Sequence, residues 1–493
     1  MKFLKRSFLF LALALFAFHF NTHAAATKSS PAKPNIVFIL ADDIGYGDFG
    51  CYGATKVKTP HIDKLASQGL RFTDAHSAAA VCTPTRYAFL TGQYAFRNPL
   101  GSHILPGHAP LSIKPGTFTT PALLKQNGYA TAVVGKWHLG LGDKQGTQDW
   151  NGEIKPGPLE IGFDHCFIIP ATGDRTPCVF VEDHRIFNLD PKDPITVDYD
   201  NCKPGHANSV QGIGRIGDMR GGQAALWRDE KIAETLTARA VKFIEDNKKR
   251  PFFLYLATHD IHVPRVPAAQ FRGKSQAGVR GDAIQEFDWT VGEVLQTLDT
   301  LKLSDNTLVI VTSDNGGILD HGDTIARDGD ENSNNGHAFN GPLRGTKGSP
   351  YEGGTRVPFI ARWPGKIKSG TSDELISLVD MLATFSALLG QKLPSDSAPD
   401  SFNFLPALLG EKRDQPVRPH LVEQAHHLAL RQGSWKFISG QGKPKAAPDE
   451  PQLYNLATDL AETKNLAKEN PEKLKELSAL LQRVTKQQRT RPE

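Results

Sequence analysis

Four short apolar runs break off into polar clusters, and that recurrence organises the chain. Asn35-Ile36-Val37-Phe38-Ile39-Leu40 stops at Asp42-Asp43, and Thr131-Ala132-Val133-Val134 runs into Gly135-Lys136-Trp137-His138. Phe252-Phe253-Leu254-Tyr255-Leu256-Ala257 stops at His259-Asp260-Ile261-His262, and Thr307-Leu308-Val309-Ile310-Val311 at Asp314-Asn315. Runs of this length without alternation predict strands buried on both faces of a largely parallel sheet. Helical spacing at 62–68, 119–126 and 234–247 supplies the crossovers, so the predicted class is α/β. The carboxyl ends of the four strands then share one edge, where such sheets build ligand sites. Each run by itself also fits an ordinary core strand with a solvated turn; the repetition favours a site.

Toward the carboxyl terminus the pattern changes. Pro394-Ser395-Asp396-Ser397-Ala398-Pro399-Asp400-Ser401 has the composition of a surface loop and marks a boundary. After it, Leu428-Ala429-Leu430-Arg431 and Trp435-Lys436-Phe437-Ile438 flank a Gln432-Gly433-Ser434 turn, which predicts an antiparallel pair. Leu474, Leu477, Leu481 and Val484 then recur at helical spacing behind Pro471, predicting a terminal packing helix. The expected division is a leader at 1–26, a catalytic α/β domain at 27–393 and a C-terminal subdomain at 394–493. The leader reading rests on Lys2, Lys5 and Arg6 ahead of an apolar run and Ala24-Ala25-Ala26, the pattern of a secretory signal peptide. That predicts an exported protein, periplasmic or secreted, with no membrane attachment once the leader is cleaved.

Three of the four net positive charges lie in that leader, leaving the remainder at +1. A nearly neutral chain argues against nucleic acid as a partner. Five cysteines (Cys51, Cys82, Cys166, Cys178, Cys202) are an odd number for an exported protein, so one thiol stands apart. Cys178 and Cys202 flank a polar excursion and could bridge, but the pairing among Cys51, Cys166, Cys178 and Cys202 stays open.

Cys82 is the distinctive thiol. In Cys82-Thr83-Pro84-Thr85-Arg86, Pro84 suits a first helical turn and Thr83 a cap, which puts the thiol at a helix mouth that favours anions. A buried, inert cysteine before a capped helix is the alternative. Asp42, Asp43, Asp314 and Asn315 offer oxygen ligands only, the set hard cations prefer, with calcium ahead of magnesium. Otherwise these four residues merely cap turns. Around them the sequence could place Arg86, Lys136, His138, His262 and Lys347, the last near the glycine-rich Tyr351-Glu352-Gly353-Gly354.

These motifs together resemble the type I sulfatases of the alkaline phosphatase superfamily, nearest the arylsulfatase and N-acetylgalactosamine-6-sulfatase type. The resemblance runs from about Pro34 to the last helix. It is carried by the Cys82 motif with Leu90-Thr91-Gly92, Asp42-Asp43 with Gly45-Tyr46-Gly47-Asp48, Gly135-Lys136-Trp137-His138, His259-Asp260-Ile261-His262, Ser313-Asp314-Asn315-Gly316, and Lys347-Gly348 with Tyr351-Glu352-Gly353-Gly354. It implies a large, mostly parallel sheet between helices with a smaller C-terminal α+β subdomain. It also implies that a maturation enzyme oxidises Cys82 to formylglycine, and that Asp42, Asp43, Cys82, Asp314 and Asn315 hold one calcium ion. Lys136 and Lys347 would stabilise sulfate oxygens, Arg86 and His138 would orient and activate the nucleophile, and His262 would protonate the leaving alkoxide. The family pattern has Ser where Thr85 stands, but the Cys-x-Pro-x-Arg core survives, so maturation is expected.

The implied substrate is a sulfated carbohydrate. Asp174 and Arg175 could grip sugar hydroxyls or a carboxylate, or simply form a salt-bridged turn; His321, Asp323, Arg327 and His337 are loop residues without a role. Two rivals share these features: a phosphodiesterase or phosphonate monoester hydrolase of the same superfamily, and a non-catalytic carbohydrate-binding homologue. The sugar, the sulfated position and exo or endo action stay open.

Overall fold

Every residue of strand Asn35–Ala41 is buried, because its two faces feed two separate cores. Ile36, Phe38 and Leu40 enter one core; Val37, Ile39 and Ala41 enter the other. This computed structural model describes residues 33–199, 208–319, 334–440 and 450–492. The proposed leader lies outside the described residues, as do Cys202, His321, Asp323 and Arg327.

In chain order the main sheet contains β1 (Asn35–Ala41), β2 (Leu70–Phe72), β3 (Ala130–Lys136), β4 (His165–Ile169), β5 (Val181–Glu182), β6 (Arg185–Ile186), β7 (Phe252–Ala257), β8 (Thr307–Ser313), β9 (Phe359–Arg362) and β10 (Gly370–Ser372). Across the sheet they run β10-β2-β9-β8-β1-β7-β3-β4-β5-β6. The five strands from β8 to β4 are mutually parallel, while β9, β5 and the β5–β6 hairpin run antiparallel to their neighbours. The four apolar runs are thus four adjacent strands of the parallel core, each a little longer than, or equal to, its apolar stretch. Helices cover both faces. On one side lie α1 (Pro60–Gln68), α4 (Ile232–Asn247) and α5 (Gly278–Thr300); on the other α2 (Cys82–Thr91), α3 (Thr120–Gln126) and α6 (Met381–Leu388). Burial of each large apolar side chain contributes roughly 1.5–3 kcal/mol, which makes this double core the main source of stability.

A second sheet, all antiparallel, holds β11 (Leu421–Gln424), β12 (Leu428–Gln432), β13 (Trp435–Ile438) and β14 (Gln452–Asn455). The terminal helix α7 (Pro471–Lys486) lays Leu477, Leu481 and Val484 on Leu430, Phe437 and Leu453; Leu474 is half-buried at the rim. Ala78, Ala88 and Tyr94, from α2 and its flanks, belong to the same core. The small sheet therefore packs directly behind the helix that carries Cys82.

The stretch at 394–401 is the exposed loop its composition suggests only over Pro394, Ser395 and Asp396. Ala398, Asp400 and Ser401 are buried. Asp400 accepts from Arg97 at 2.8 and 2.9 Å and from Thr490 at 2.8 Å, and its N–H donates to Gly92 at the end of α2. A buried carboxylate needs such partners, and obtaining them pins the segment down.

A buried ion network joins the two sheets. Lys436 contacts Glu352 at 2.8 Å and Glu423 at 3.1 Å; Arg431 reaches Asp74 at 3.0 Å and Glu352 at 3.3 Å; Arg356 reaches Glu352 at 2.6 Å and Asp74 at 2.8 Å. His76 lies between Asp74 and Glu423, at 2.8 and 2.6 Å. Burial works against its protonation, but Glu423 and Glu352 outweigh burial and raise its pKa. Deleting one cation leaves carboxylates unpaired in the interior, which typically costs about 3–5 kcal/mol. Lys436→Met is accordingly expected to lower the thermal midpoint by that order of stability, whereas Lys242→Met, on an exposed pair of α4, should leave it nearly unchanged; calorimetry of both variants checks this.

Candidate active site

The carboxyl ends of β1, β3, β7 and β8 deliver Asp42-Asp43, Lys136 and His138, the 259–262 segment, and Asp314-Asn315 to one edge of the sheet. Asp42, Asp43 and Asp314 are fully buried, and ligand atoms of all three lie within 4.8 Å of one another. Three cations surround them. Arg86 donates to Asp314 Oδ2 through Nε (3.0 Å) and Nη2 (2.8 Å), and through Nη1 to the Lys136 carbonyl (2.9 Å). Lys136 contacts Asp42, and Lys347 lies 2.7 Å from Asp43 Oδ1. Asn315 Nδ2 donates to Asp43 at 2.8 Å. Two oxygens, Asp42 Oδ1 and Asn315 Oδ1, are buried without a hydrogen-bond partner.

Local geometry explains the closeness. Gly353 and Gly354 let their loop approach Gly316, next to Asn315: a Cβ on Gly316 would stand 1.8 Å from the Gly353 carbonyl. Gly45 is likewise pressed against Phe339, whose carbonyl would meet a Cβ at 2.2 Å. Under this contact Asp48 is held by Arg280 and by His337, which sits 2.9 Å away; His337 thus has a structural place in the loop. Burial is outweighed by Arg280, so the Asp48 carboxyl is held below its usual range.

Cys82 is the first residue of α2, and Val81, in extended conformation, precedes the helix without a side-chain cap. Thr83 is therefore not the cap expected from the sequence; its hydroxyl donates to the His138 carbonyl at 2.9 Å and ties the helix mouth to the end of β3. The Cys82 thiol lies 3.2 Å from His138 Nδ1, and His138 Nε2 lies 2.9 Å from the Leu105 carbonyl. A carbonyl only accepts, so Nε2 carries the hydrogen and Nδ1 faces Cys82 as an acceptor. Burial, then the charges of Lys136 and Arg175, hold His138 well below its ordinary pKa, so it stays neutral. By contrast burial is outweighed by Asp43 and Cys82 at Lys347, whose pKa is raised and whose charge persists.

Every residue nominated for metal and sulfate chemistry except His262 interlocks directly in this cluster. His262 is buried, its Nδ1 2.8 Å from the Val263 carbonyl, and its segment is clipped to Asp42 by two backbone hydrogen bonds (2.8 and 2.6 Å). Asp174 and Arg175 form a salt bridge of 2.8 Å, in the form of the turn considered above, yet Lys136 and Lys347 act electrostatically on Asp174. Sequence reasoning passed over His259 and the buried Arg215–Asp229 pair, 2.6 Å apart. His259 sits inside the 259–262 motif, so its position was visible but its environment was not. Among the described residues Cys51, Cys82, Cys166 and Cys178 are free thiols.

An α/β sheet presenting buried acids, three cations and a helix-mouth cysteine defines a hydrolase site for anionic esters. The chain matches the sulfatase family over residues 34–391 and belongs to it, and it is a sulfuric ester hydrolase. It is 48% identical to an N-acetylgalactosamine-6-O-sulfatase of Bacteroides thetaiotaomicron, across 92% of this chain and 93% of that one. It is 33% identical to human arylsulfatase A, across 92% and 88% of the two chains. A solved Bacteroides thetaiotaomicron structure from the metabolism of multiple glycosaminoglycans superposes with a TM-score of 0.87 at 47% identity, covering 92% of this chain and all of that one. A solved complex with k-i-k-neocarrahexaose superposes at 0.69 with 27% identity, covering 92% and 93%. The fold class expected from the sequence, the alkaline phosphatase-like sheet with a small antiparallel C-terminal sheet, is the one observed.

Thr85, the departure from the family's Ser, uses its hydroxyl twice: it donates to the Ala79 carbonyl at 2.9 Å and accepts from the Ala79 N–H at 3.2 Å. Thr85→Ser keeps both bonds and is expected to match the parent in thermal midpoint. Thr85→Val leaves the buried Ala79 N–H unpaired, while the Ala79 carbonyl keeps the Ser77 hydroxyl at 2.7 Å, and should cost about 1–3 kcal/mol, measured by thermal unfolding of the two variants side by side.

Proposed function

We propose that the protein removes the 6-O-sulfate of N-acetylgalactosamine in a sulfated carbohydrate, after export to the periplasm or medium and maturation of Cys82 to formylglycine. The observation that carries the reading is the Cys82–His138 contact beside three buried carboxylates and three cations; the likeness to the N-acetylgalactosamine-6-O-sulfatase supports the sugar. The working parts lie in 27–393, with 394–493 as a subdomain buttressing α2. Among the described residues no helix is long and apolar enough to cross a membrane.

Formylglycine, once formed and hydrated, supplies an oxygen nucleophile whose second hydroxyl can later be deprotonated to expel sulfate. His138 is oriented to take that proton: its Nδ1 lone pair faces position 82 and its own hydrogen is committed to Leu105. Lys136 and Lys347 place positive charge where sulfate oxygens would gather, and Arg86 fixes Asp314 so that the acid cannot swing away. The Val263 carbonyl holds a hydrogen on Nδ1 of His262, which leaves Nε2 as the nitrogen that gains and loses a proton, as a leaving-group acid must.

The donor set fits a hard cation. Asp42 Oδ1 and Asn315 Oδ1 are buried oxygens without partners, and the carboxylate oxygens of Asp42, Asp43 and Asp314 converge beside them. Asp42, Asp43, Asp314, Asn315 and the modified residue 82 would hold calcium, which supplies a fixed positive charge for the sulfate. Without it, burial and then Asp314 push the Asp42 carboxyl up to about 7, against the opposing pull of Lys136.

Cys82→Ala and Cys82→Ser, made without a serine-converting maturation system, should release no sulfate from N-acetylgalactosamine-6-sulfate while keeping the parent's thermal midpoint. In the matured parent, mass spectrometry of the Cys82 peptide should show sulfur exchanged for oxygen with loss of two hydrogens; an unmodified thiol in fully active protein refutes the mechanism.

A carboxyl raised in the folded state favours folding while protonated. That contribution is complete below about pH 4 and is lost as pH rises through about 7. Chelation should therefore lower the thermal midpoint more at pH 8 than at pH 5. Restoring calcium at about 100 times its dissociation constant should recover about 2.7 kcal/mol.

A further inference from the structure

Resting on the proposed function, we infer that His259 is a substrate-contacting specificity residue, whose imidazole hydrogen-bonds a hydroxyl of the sugar that carries the sulfate. His259 is 5% exposed, and neither ring nitrogen completes a hydrogen bond, although the Pro264 carbonyl lies near. Among the described residues it is the one histidine with both ring nitrogens in that condition, and a buried polar group calls for a partner. Its surroundings are those of the sulfate site: Lys136, Asp174 and Arg215 are its charged neighbours.

The chain also makes room for it. An added Cβ at Gly173 would stand 2.4 Å from Cε1 and 2.5 Å from Nε2 of the ring, so only glycine lets the 172–175 loop lie against this imidazole. The same loop carries Asp174, placing an acceptor beside the ring. Burial, followed by Lys136, lowers the His259 pKa to about 3, so the ring is neutral in ordinary use. A neutral imidazole has one donor and one acceptor, the complement of an alcohol O–H rather than of a sulfate or carboxylate. This separates its task from that of His262, which must be able to carry a proton.

The test compares two substrates of the fully matured enzyme: N-acetylgalactosamine-6-sulfate, which has ring hydroxyls, and 4-nitrophenyl sulfate, which has none. His259→Leu is expected to lower kcat/KM for the sugar about tenfold or more, chiefly through KM, and to leave the aryl sulfate within about twofold of the parent. His259→Gln, which can still donate and accept, should recover part of the loss. Gly173→Ala, which displaces the ring without removing it, should reproduce the sugar-selective loss. Equal losses on both substrates, or none on either, overturn the inference while leaving the sulfatase reading intact. A matured parent inert toward both substrates overturns the proposed function itself, and this inference with it.

Discussion

Asp42, Asp43 and Asp314 bring their carboxylates within 4.8 Å of one another in an interior closed to bulk water, and the rest of the architecture answers that repulsion. At an effective dielectric of about 20, two like charges about 4 Å apart oppose each other by about 4 kcal/mol. Arg86, Lys136 and Lys347 each approach a different acid, from α2, β3 and the loop before Gly348. No one segment could supply all three. The sheet brings the acids together, and the helix-mouth sequence that carries Cys82 also carries the arginine that makes their closeness tolerable.

The same logic recurs one layer back. Glu352, Glu423, Asp74, Lys436, Arg431, Arg356 and His76 balance charge in a water-poor layer between the main sheet and the small one. This layer lies against the 75–80 segment leading to Cys82: Ala80 donates to Gln424 of β11, and Ser77 to the Thr355 carbonyl. Buried ion pairs are a weak source of net stability but hold a geometry strictly, since any shift strands a charge. Here the geometry held is the approach of Cys82 to His138.

The parallel core was legible because a strand buried on both faces must be apolar throughout, and its end must turn polar where the chain meets solvent or a site. β1, β3, β7 and β8 all satisfy this, so Asp42, Lys136, His138, Asp314 and Asn315 could be nominated from the chain alone. Two readings failed because composition reports neither contacts nor burial: Thr83 looked like a cap but bonds the His138 carbonyl, and the 394–401 stretch looked exposed but hides Asp400. The acids and bases of the His76 network, scattered from 74 to 436, have no spacing rule to connect them and offered no reading at all.

Local pattern by itself thus determined the four buried strands and the polar clusters at their carboxyl ends, since hydrophobic period acts over a few residues, while Cys82 was singled out by its motif's resemblance to a family. Tertiary structure alone decided which nitrogen of His138 faces Cys82, that Thr85 closes on Ala79, and that His259 is left buried with its ring nitrogens unmatched. These depend on distances between segments far apart in sequence. Hydrogen bonding and desolvation act through space, and the chain fixes that space only after it has packed.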